Sequence, residues 1–308
     1  MTNSYVPEIF KFTGAGNNFV VIDGRKGGVD AFRQPRRITK LCREYQTDGL
    51  MILGDAESLD FSMEFFNPDG SGGMMCGNGG RCIVAFADYL GLKPASPDGT
   101  WHFLAPDGVH EAMILDCPQE GIASGGHVHP RTWVGGGARC DSSGRGRSER
   151  SERSSSGGNF PLWTVRLKMI DVVGVTPVKD GYFLNTGTRH YVQFVKDVDS
   201  IDMEAEAKPI RWDAAFQPEG TNVNFVQVTP EGLKVRTFEK GVEGETLACG
   251  TGITASAIAA CYAQIPNLVG DDGKIHLQCR RGDWLQVEFK KDGSSYKDVY
   301  LTGPAEIC

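Results

Sequence analysis

Cysteine stands twice in this chain immediately before a glycine-rich turn that opens an apolar stretch. Cys76 does so in MMCGNGGRCIVAFADYL and Cys249 in LACGTGITASAIAACYA. Cys261, by contrast, lies inside an apolar run, where a structural cysteine sits as a small hydrophobe. The first turn of a helix carries unsatisfied N–H groups and the positive end of the helix dipole. A thiol placed there is expected to have its pKa lowered toward neutrality. The same N–H groups receive a carboxylate or phosphate, and the glycines let it approach closely.

The two cysteines belong to an internal repeat. DFSMEFFNPDGSGGMMCGNGGRCIVAFADYL (60–90) and GLKVRTFEKGVEGETLACGTGITASAIAACY (232–262) each run through an alternating strand, a polar residue, a glycine-rich loop, C-G-x-G and an apolar helix. Asn67 precedes Cys76 by nine residues, and Glu239 precedes Cys249 by ten. A fainter echo pairs GNNFVVI (16–22) with NVNFVQV (222–228). A spacing of 173 residues is too long for a solenoid, so the repeat reads as two homologous halves facing each other, one cysteine from each. Such an arrangement clamps one anion between two thiols.

Inverting a stereocentre by proton transfer needs a base on one face of the carbon and an acid on the other. Cysteine, with a reference pKa of about 8.5, can be tuned for either role. The planar anionic intermediate would be stabilised by preorganised donors at the helix ends. No electron-sink cofactor is then required, and no lysine-centred site points to pyridoxal phosphate. The expected partner is a small-molecule amino acid.

The elements that must position these thiols are mostly strands. KFTGAGNNFVVID, GLMILG, FSMEFFN, GYFLNTG, HYVQFV, TNVNFVQV, LKVRTFEK, IHLQC and WLQVEF are β-rich and bounded by Gly, Asp, Asn or Pro. PRRITKLCREY (35–45) is amphipathic with Pro35 at its start. CIVAFADYLG (82–91) and ITASAIAACYA (253–263) are apolar nearly all round, which predicts two buried helices with sheets wrapped around them. The segment 121–160 holds ten Gly, eight Ser and six Arg without apolar periodicity, and reads as a disordered insertion replacing a hairpin turn. Its two histidines, His127 and His129, lack a neighbouring carboxylate cluster, so a metal site there is disfavoured.

The chain has 308 residues and a formal charge of −7, against a general nucleic-acid binder. MTNSYVPEIFKF has no basic start followed by an apolar stretch, and no run reaches membrane-spanning length. A cytoplasmic protein is expected. The nine cysteines are odd in number, irregular in spacing and without a CxxC pair, which suits free thiols and argues against zinc.

NPDGSGGMMCGNGGRC, EKGVEGETLACGTG, GAGNNFVVID and GTNVNFVQV together resemble the diaminopimelate epimerase family, cofactor-independent enzymes of lysine and peptidoglycan precursor synthesis. The similarity covers nearly the whole chain outside the insertion. It implies a mixed α/β (α+β) fold of two pseudo-symmetric halves, each with strands around a central helix and the active site in the cleft between. Carried over by resemblance, Cys76 and Cys249 are the acid/base thiols, His190 assists the first and Glu239 the second. Asn17, Asn67 and Asn222 match substrate-binding asparagines, and Gly77 with Asn78 and Gly250 with Thr251 match backbone donors to the α-carboxylate. Singly, His190 would be a core histidine and the asparagines turn formers. Departures from the pattern are Thr13 where histidine is frequent, Asn18 for aspartate, Arg189 for proline and Lys240 for the arginine that grips the distal end of the substrate. Lysine cannot make the same planar two-point contact.

The halves are expected at 1–171, with the insertion at about 118–162, and 172–308, and the resemblance implies that VYLTGPAEIC returns to the first. A homodimer is left open. Oxidation is expected to couple Cys76 to Cys249 and abolish activity, since both must flank one carbon. Rival readings are a dinucleotide site on Gly250-Thr-Gly-Ile-Thr-Ala255, a lone cysteine nucleophile, a binding module and a hydroxyproline epimerase. The first lacks the apolar strand that should precede it, and a covalent adduct would mark the second. Loss of a cysteine would mark the third, and the Glu239-containing pattern disfavours the last.

Overall fold

The computed structural model describes residues 6–73, 75–117 and 162–308. The expected insertion, with His127 and His129, lies outside the described residues save for Leu162, which begins a strand. The first half opens with a hairpin, β1 (Ile9–Gly14) and β2 (Asn17–Asp23), whose tight turn holds Ala15 and Gly16 at positive φ. Two positive-φ residues are what a turn matching the right-handed twist of a hairpin requires. Helix α1 (Pro35–Tyr45) leads into β3 (Gly49–Gly54), parallel to β2, and β4 (Phe61–Phe66) returns antiparallel. Helix α2 (Gly77–Tyr89) follows, then β5 (Thr100–Ala105), β6 (Gly108–Asp116) and β7 (Leu162–Lys168).

The continuous apolar runs FVVI and LMIL have a direct cause. Phe19, Val21, Met51 and Leu53 pack in the core around α2, while Val20, Ile22, Leu50 and Ile52 pack beneath α1. Strands covered on both faces lose the in–out alternation.

The second half supplies β8 (Thr176–Val178), β9 (Gly181–Asn185), β10 (Arg189–Phe194), α3 (Met203–Arg211), β11 (Asn222–Thr229), β12 (Gly232–Glu239) and β13 (Gly244–Thr246). Helix α4 (Gly250–Tyr262), β14 (Ile275–Gln278), β15 (Trp284–Asp292) and the long β16 (Ser295–Ile307) complete it. Strand β16 pairs with β15 at one end and with β7 and β1 at the other. The last strand thereby returns to the first half and closes β1–β7 into a ring around α2. The remaining strands run on from β15 in the same sheet and cover α4.

Helices α2 and α4 are 13 residues each, begin with glycines and would be marginal alone. Burial decides. Each of Ile83, Val84, Phe86, Ile253 and Ile258 is fully buried or nearly so. Each such side chain contributes about 1.5–3 kcal/mol, more than the roughly 1 kcal/mol lost per helical glycine. Both helices start earlier than their apolar runs, at Gly77 and Gly250 instead of Cys82 and Ile253, because the glycine-rich turns form the first helical turn. The expected insertion sits between β6 and β7, which pair antiparallel with Ala112 opposite Leu167, as a lengthened hairpin turn would. Among the described residues no helix is long and apolar enough to cross a membrane.

Candidate active site

Cys76 and Cys249 are the N-cap residues of α2 and α4, and the two helix ends abut. A methyl group added at Gly77 would lie 3.7 Å from Cα of Gly250, and one at Gly250 would lie 3.5 Å from Cα of Gly77. The tightest neighbour of either methyl is Leu301 Cδ2, at 3.3 Å from one at Gly77 and 3.0 Å from one at Gly250, so the two glycines leave a narrow gap between the helix ends. The Cys76 Sγ accepts a hydrogen bond from the Gly79 N–H at 3.3 Å, whereas Cys249 Sγ lies 3.4 Å from the Thr251 hydroxyl.

The expectation of lowered thiol pKa values is overturned. Burial pushes Cys76 up to about 11, with the Gly79 N–H pulling down and the Glu239 charge pushing up. Burial likewise pushes Cys249 up to about 12, with the Glu239 charge adding to it. The dipole acts at both helix ends, but desolvation of the thiolate outweighs it.

His190 lies on β10, wholly buried. The Asn224 amide donates to its Nδ1 (3.0 Å) and also to the Tyr191 carbonyl (3.0 Å), while the Thr237 hydroxyl donates to Asn224 Oδ1 (2.9 Å). This network fixes Nδ1 as an acceptor and puts the ring proton on Nε2. Nε2 lies 2.9 Å from the hydroxyls of both Thr188 and Thr251. Burial pulls the imidazole pKa down to about 3, so the ring is neutral. Its hydrogen-bonded route leads through Thr251 to Cys249, the second thiol, and not to Cys76, which the resemblance assigned to it.

Glu239 ends β12 with a carboxyl raised by burial, and its charge acts on both thiols rather than on the second alone. Asn78 is buried and donates to Asn17 Oδ1, and Asn17 donates to Asp48 (3.3 Å). Asp48 also accepts the Asn18 N–H at 2.8 Å, so a carboxylate reaches this loop from elsewhere in the chain although Asn18 itself has none. The Asn222 amide donates to the Arg189 carbonyl (3.0 Å) and accepts the Lys240 N–H (2.7 Å), tying two strand ends together. Asn67 and the side chain of Lys240 are not drawn in. Asn67 bonds Ser71 and Gly72 of its own loop, and Lys240 is exposed, its charge acting on Glu219 and Glu243.

Thr188, Asn224, Asp48 and Arg81 were not among the expected site residues. Asn224 carried a signal: it lies two residues beyond Asn222 on one strand, hence on the same face. Thr188, Asp48 and Arg81 gave none in local pattern.

The family profile described as Diaminopimelate epimerase matches residues 9–97 and 182–308. A relative named Diaminopimelate epimerase from Flavobacterium psychrophilum is 33% identical, over 97% of this chain and 97% of its own. One of the same name from Aquifex aeolicus is 34% identical, over 96% of this chain and 94% of its own. Among solved structures, a PhzF-family phenazine biosynthesis protein from Bacillus anthracis is similar with a TM-score of 0.61 at 13% identity, covering 97% of this chain and 96% of that one. A probable proline racemase from Agrobacterium radiobacter K84 is similar with a TM-score of 0.57 at 13% identity, over 98% and 92%. At such identities these structures speak for the fold alone.

Proposed function

The chain belongs to the diaminopimelate epimerase family, and from that premise we propose that it interconverts LL- and meso-2,6-diaminopimelate by proton transfer between two thiols at one α-carbon. The observation that carries this reading is the meeting of Gly77 and Gly250, which brings two cysteine-capped helix ends together. The substrate α-carboxylate would be received by the N–H groups at Gly77, Asn78, Gly250 and Thr251. One thiol, as thiolate, takes the α-proton while the other delivers its own to the opposite face. The roles then stand exchanged, ready for the reverse reaction.

The raised thiol pKa values support the same reading. A thiolate generated in a dry site is a strong base, matched to a weakly acidic α-carbon. His190 is neutral, so it serves by orienting Thr251 against Cys249 rather than as a charged acid. The planar intermediate is met by donors already in place, and the residues require no electron-sink cofactor. Closure of the halves 1–171 and 172–308 on the substrate would exclude water. The reaction would take place in the cytoplasm, where free thiols such as Cys76 and Cys249 persist.

Incubation in deuterated water without added cofactor tests the reading. Diaminopimelate should gain deuterium at the α-carbon as it inverts, while Cys76→Ala and Cys249→Ala each abolish inversion. Inversion of hydroxyproline in preference to diaminopimelate would move the enzyme to the related epimerases. Inversion surviving either cysteine variant would overturn the two-thiol mechanism.

A further inference from the structure

The two helix ends are alike in form but not in charge. The fifth residue after Cys76 is Arg81, and the fifth after Cys249 is Thr254. Both are fully buried, and both reach back to the first carbonyl of their own helix. Arg81 Nη1 donates to the Gly77 carbonyl at 3.3 Å, and Thr254 Oγ1 donates to the Gly250 carbonyl at 3.0 Å. The repeat therefore places a guanidinium in one half where the other has a neutral hydroxyl.

The remaining contacts of Arg81 are as unusual. Nη2 donates to Asn78 Oδ1 at 2.8 Å and Nε to the Pro304 carbonyl at 3.3 Å. Every acceptor is neutral; among the described residues Arg81 has no carboxylate hydrogen-bonded to it. Room for it is made by Gly303 on β16, where a methyl group would lie 3.2 Å from Nε. A guanidinium keeps its proton in proteins, so the charge is fixed. A buried cation without a paired anion is costly, and here the groups it acts on are the thiols Cys82, Cys76 and Cys279, with Asp283 acting through space.

We propose, on the two-thiol reading above, that Arg81 is a positioning residue whose fixed charge makes Cys76 the thiol that ionises first and leaves the proton on Cys249. The Glu239 charge disfavours both thiolates. Cys76 has the Gly79 and Asn78 N–H groups and Arg81 in its favour. Cys249 has the Thr251 hydroxyl and the Gly252 N–H, and an ionised Cys76 disfavours its own ionisation further. Burial raises both thiols, and the guanidinium acts to lower Cys76. The isomer whose α-hydrogen faces Cys76 then meets the prevailing ionised form, and turnover leaves Cys76 as thiol and Cys249 as thiolate.

The test reads the thiolate of each cysteine by its rate of iodoacetamide alkylation in the full-length protein, resolved at Cys76 and Cys249 by peptide mass spectrometry. The Cys76 signal should exceed the Cys249 signal several-fold. Arg81→Met should lower the Cys76 signal about tenfold and leave the Cys249 signal unchanged, and Arg81→Lys should restore it. A larger Cys249 signal in native protein overturns the proposal without any Arg81 variant having to fold. So does an unchanged Cys76 signal in folded Arg81→Met. Deuterium exchange into diaminopimelate, followed in the same preparations, separates the two readings. Loss of exchange in native protein strikes the two-thiol reaction itself, whereas full exchange with the thiols in the wrong order strikes only the role of Arg81.

Discussion

The Thr251 hydroxyl lies 2.9 Å from Nε2 of His190 and carries that histidine's influence to Cys249, whose Sγ is 3.4 Å further on. Because Nδ1 is occupied by the Asn224 amide, Nε2 is the only ring nitrogen free to donate. Thr251→Val keeps the shape of the side chain and removes the hydroxyl, so it should lower kcat at least tenfold with a smaller change in KM. Thr251→Ser should retain most of the activity. Equal kcat for native protein and Thr251→Val would show that the hydroxyl relay is not used.

Stability should depend on acid through His190. Burial holds its folded pKa at about 3, while an unfolded imidazole titrates near 6.5. Between those values the unfolded chain takes up a proton that the folded chain refuses. Stability therefore falls as pH drops through this window, by up to about 1.4 kcal/mol per pH unit from this group. Urea midpoints taken at several pH values check it: the acid slope of native protein should be steeper than that of His190→Gln. Parallel slopes would mean that the buried imidazole is already protonated.

Glycines at two close approaches should fail in different ways. A methyl at Gly14 would sit 2.8 Å from the Asn78 carbonyl and 2.9 Å from Cys82 Sγ, against helix backbone that cannot yield. Gly14→Ala should destabilise by about 1–3 kcal/mol. At Gly250 the nearest atom is the terminal Cδ2 of Leu301, at 3.0 Å, and the added methyl would occupy the gap facing Gly77. Gly250→Ala should fold with little loss and raise KM at least tenfold. Thermal melts beside steady-state kinetics would separate the two effects, and a Gly250→Ala enzyme with native KM would place the substrate elsewhere.

The helix-capping cysteines and the two buried helices were legible in the sequence because a duplicated motif repeats its local chemistry, and C-G-x-G followed by an apolar run needs no tertiary information. The return of the last strand was also anticipated, but only through the resemblance; its pairing with β1 and β7 is a long-range contact that no local pattern encodes. The thiol pKa direction was misread because the helix dipole can be inferred from sequence position, whereas desolvation depends on what the whole chain packs around the sulfur. Arg81 was hidden for a similar reason. An arginine at the head of an apolar helix reads as a solvated residue until the fold encloses it.

Glu239 provides the sharpest check on the electrostatics, because its charge raises both thiols from one place. Its own carboxyl is raised by burial, with the Asp48 charge adding to it, so it ionises less readily than an exposed glutamate. Replacing it with glutamine removes a negative charge and keeps the shape. A nearby negative charge disfavours a thiolate, so both thiol pKa values should move down in Glu239→Gln. The alkaline-side rise of iodoacetamide alkylation, read at Cys76 and Cys249 separately by peptide mass spectrometry, should shift to lower pH for both residues. This is opposite in sign to the Arg81→Met effect, which should touch Cys76 alone. If Glu239 does no more than set this field, Glu239→Gln keeps substantial activity with its pH profile moved in the acid direction. If it also passes a proton, kcat falls by about 10²-fold or more while the thiols still shift. Thiols that fail to move in either direction would mean that Glu239 is already neutral in the free enzyme.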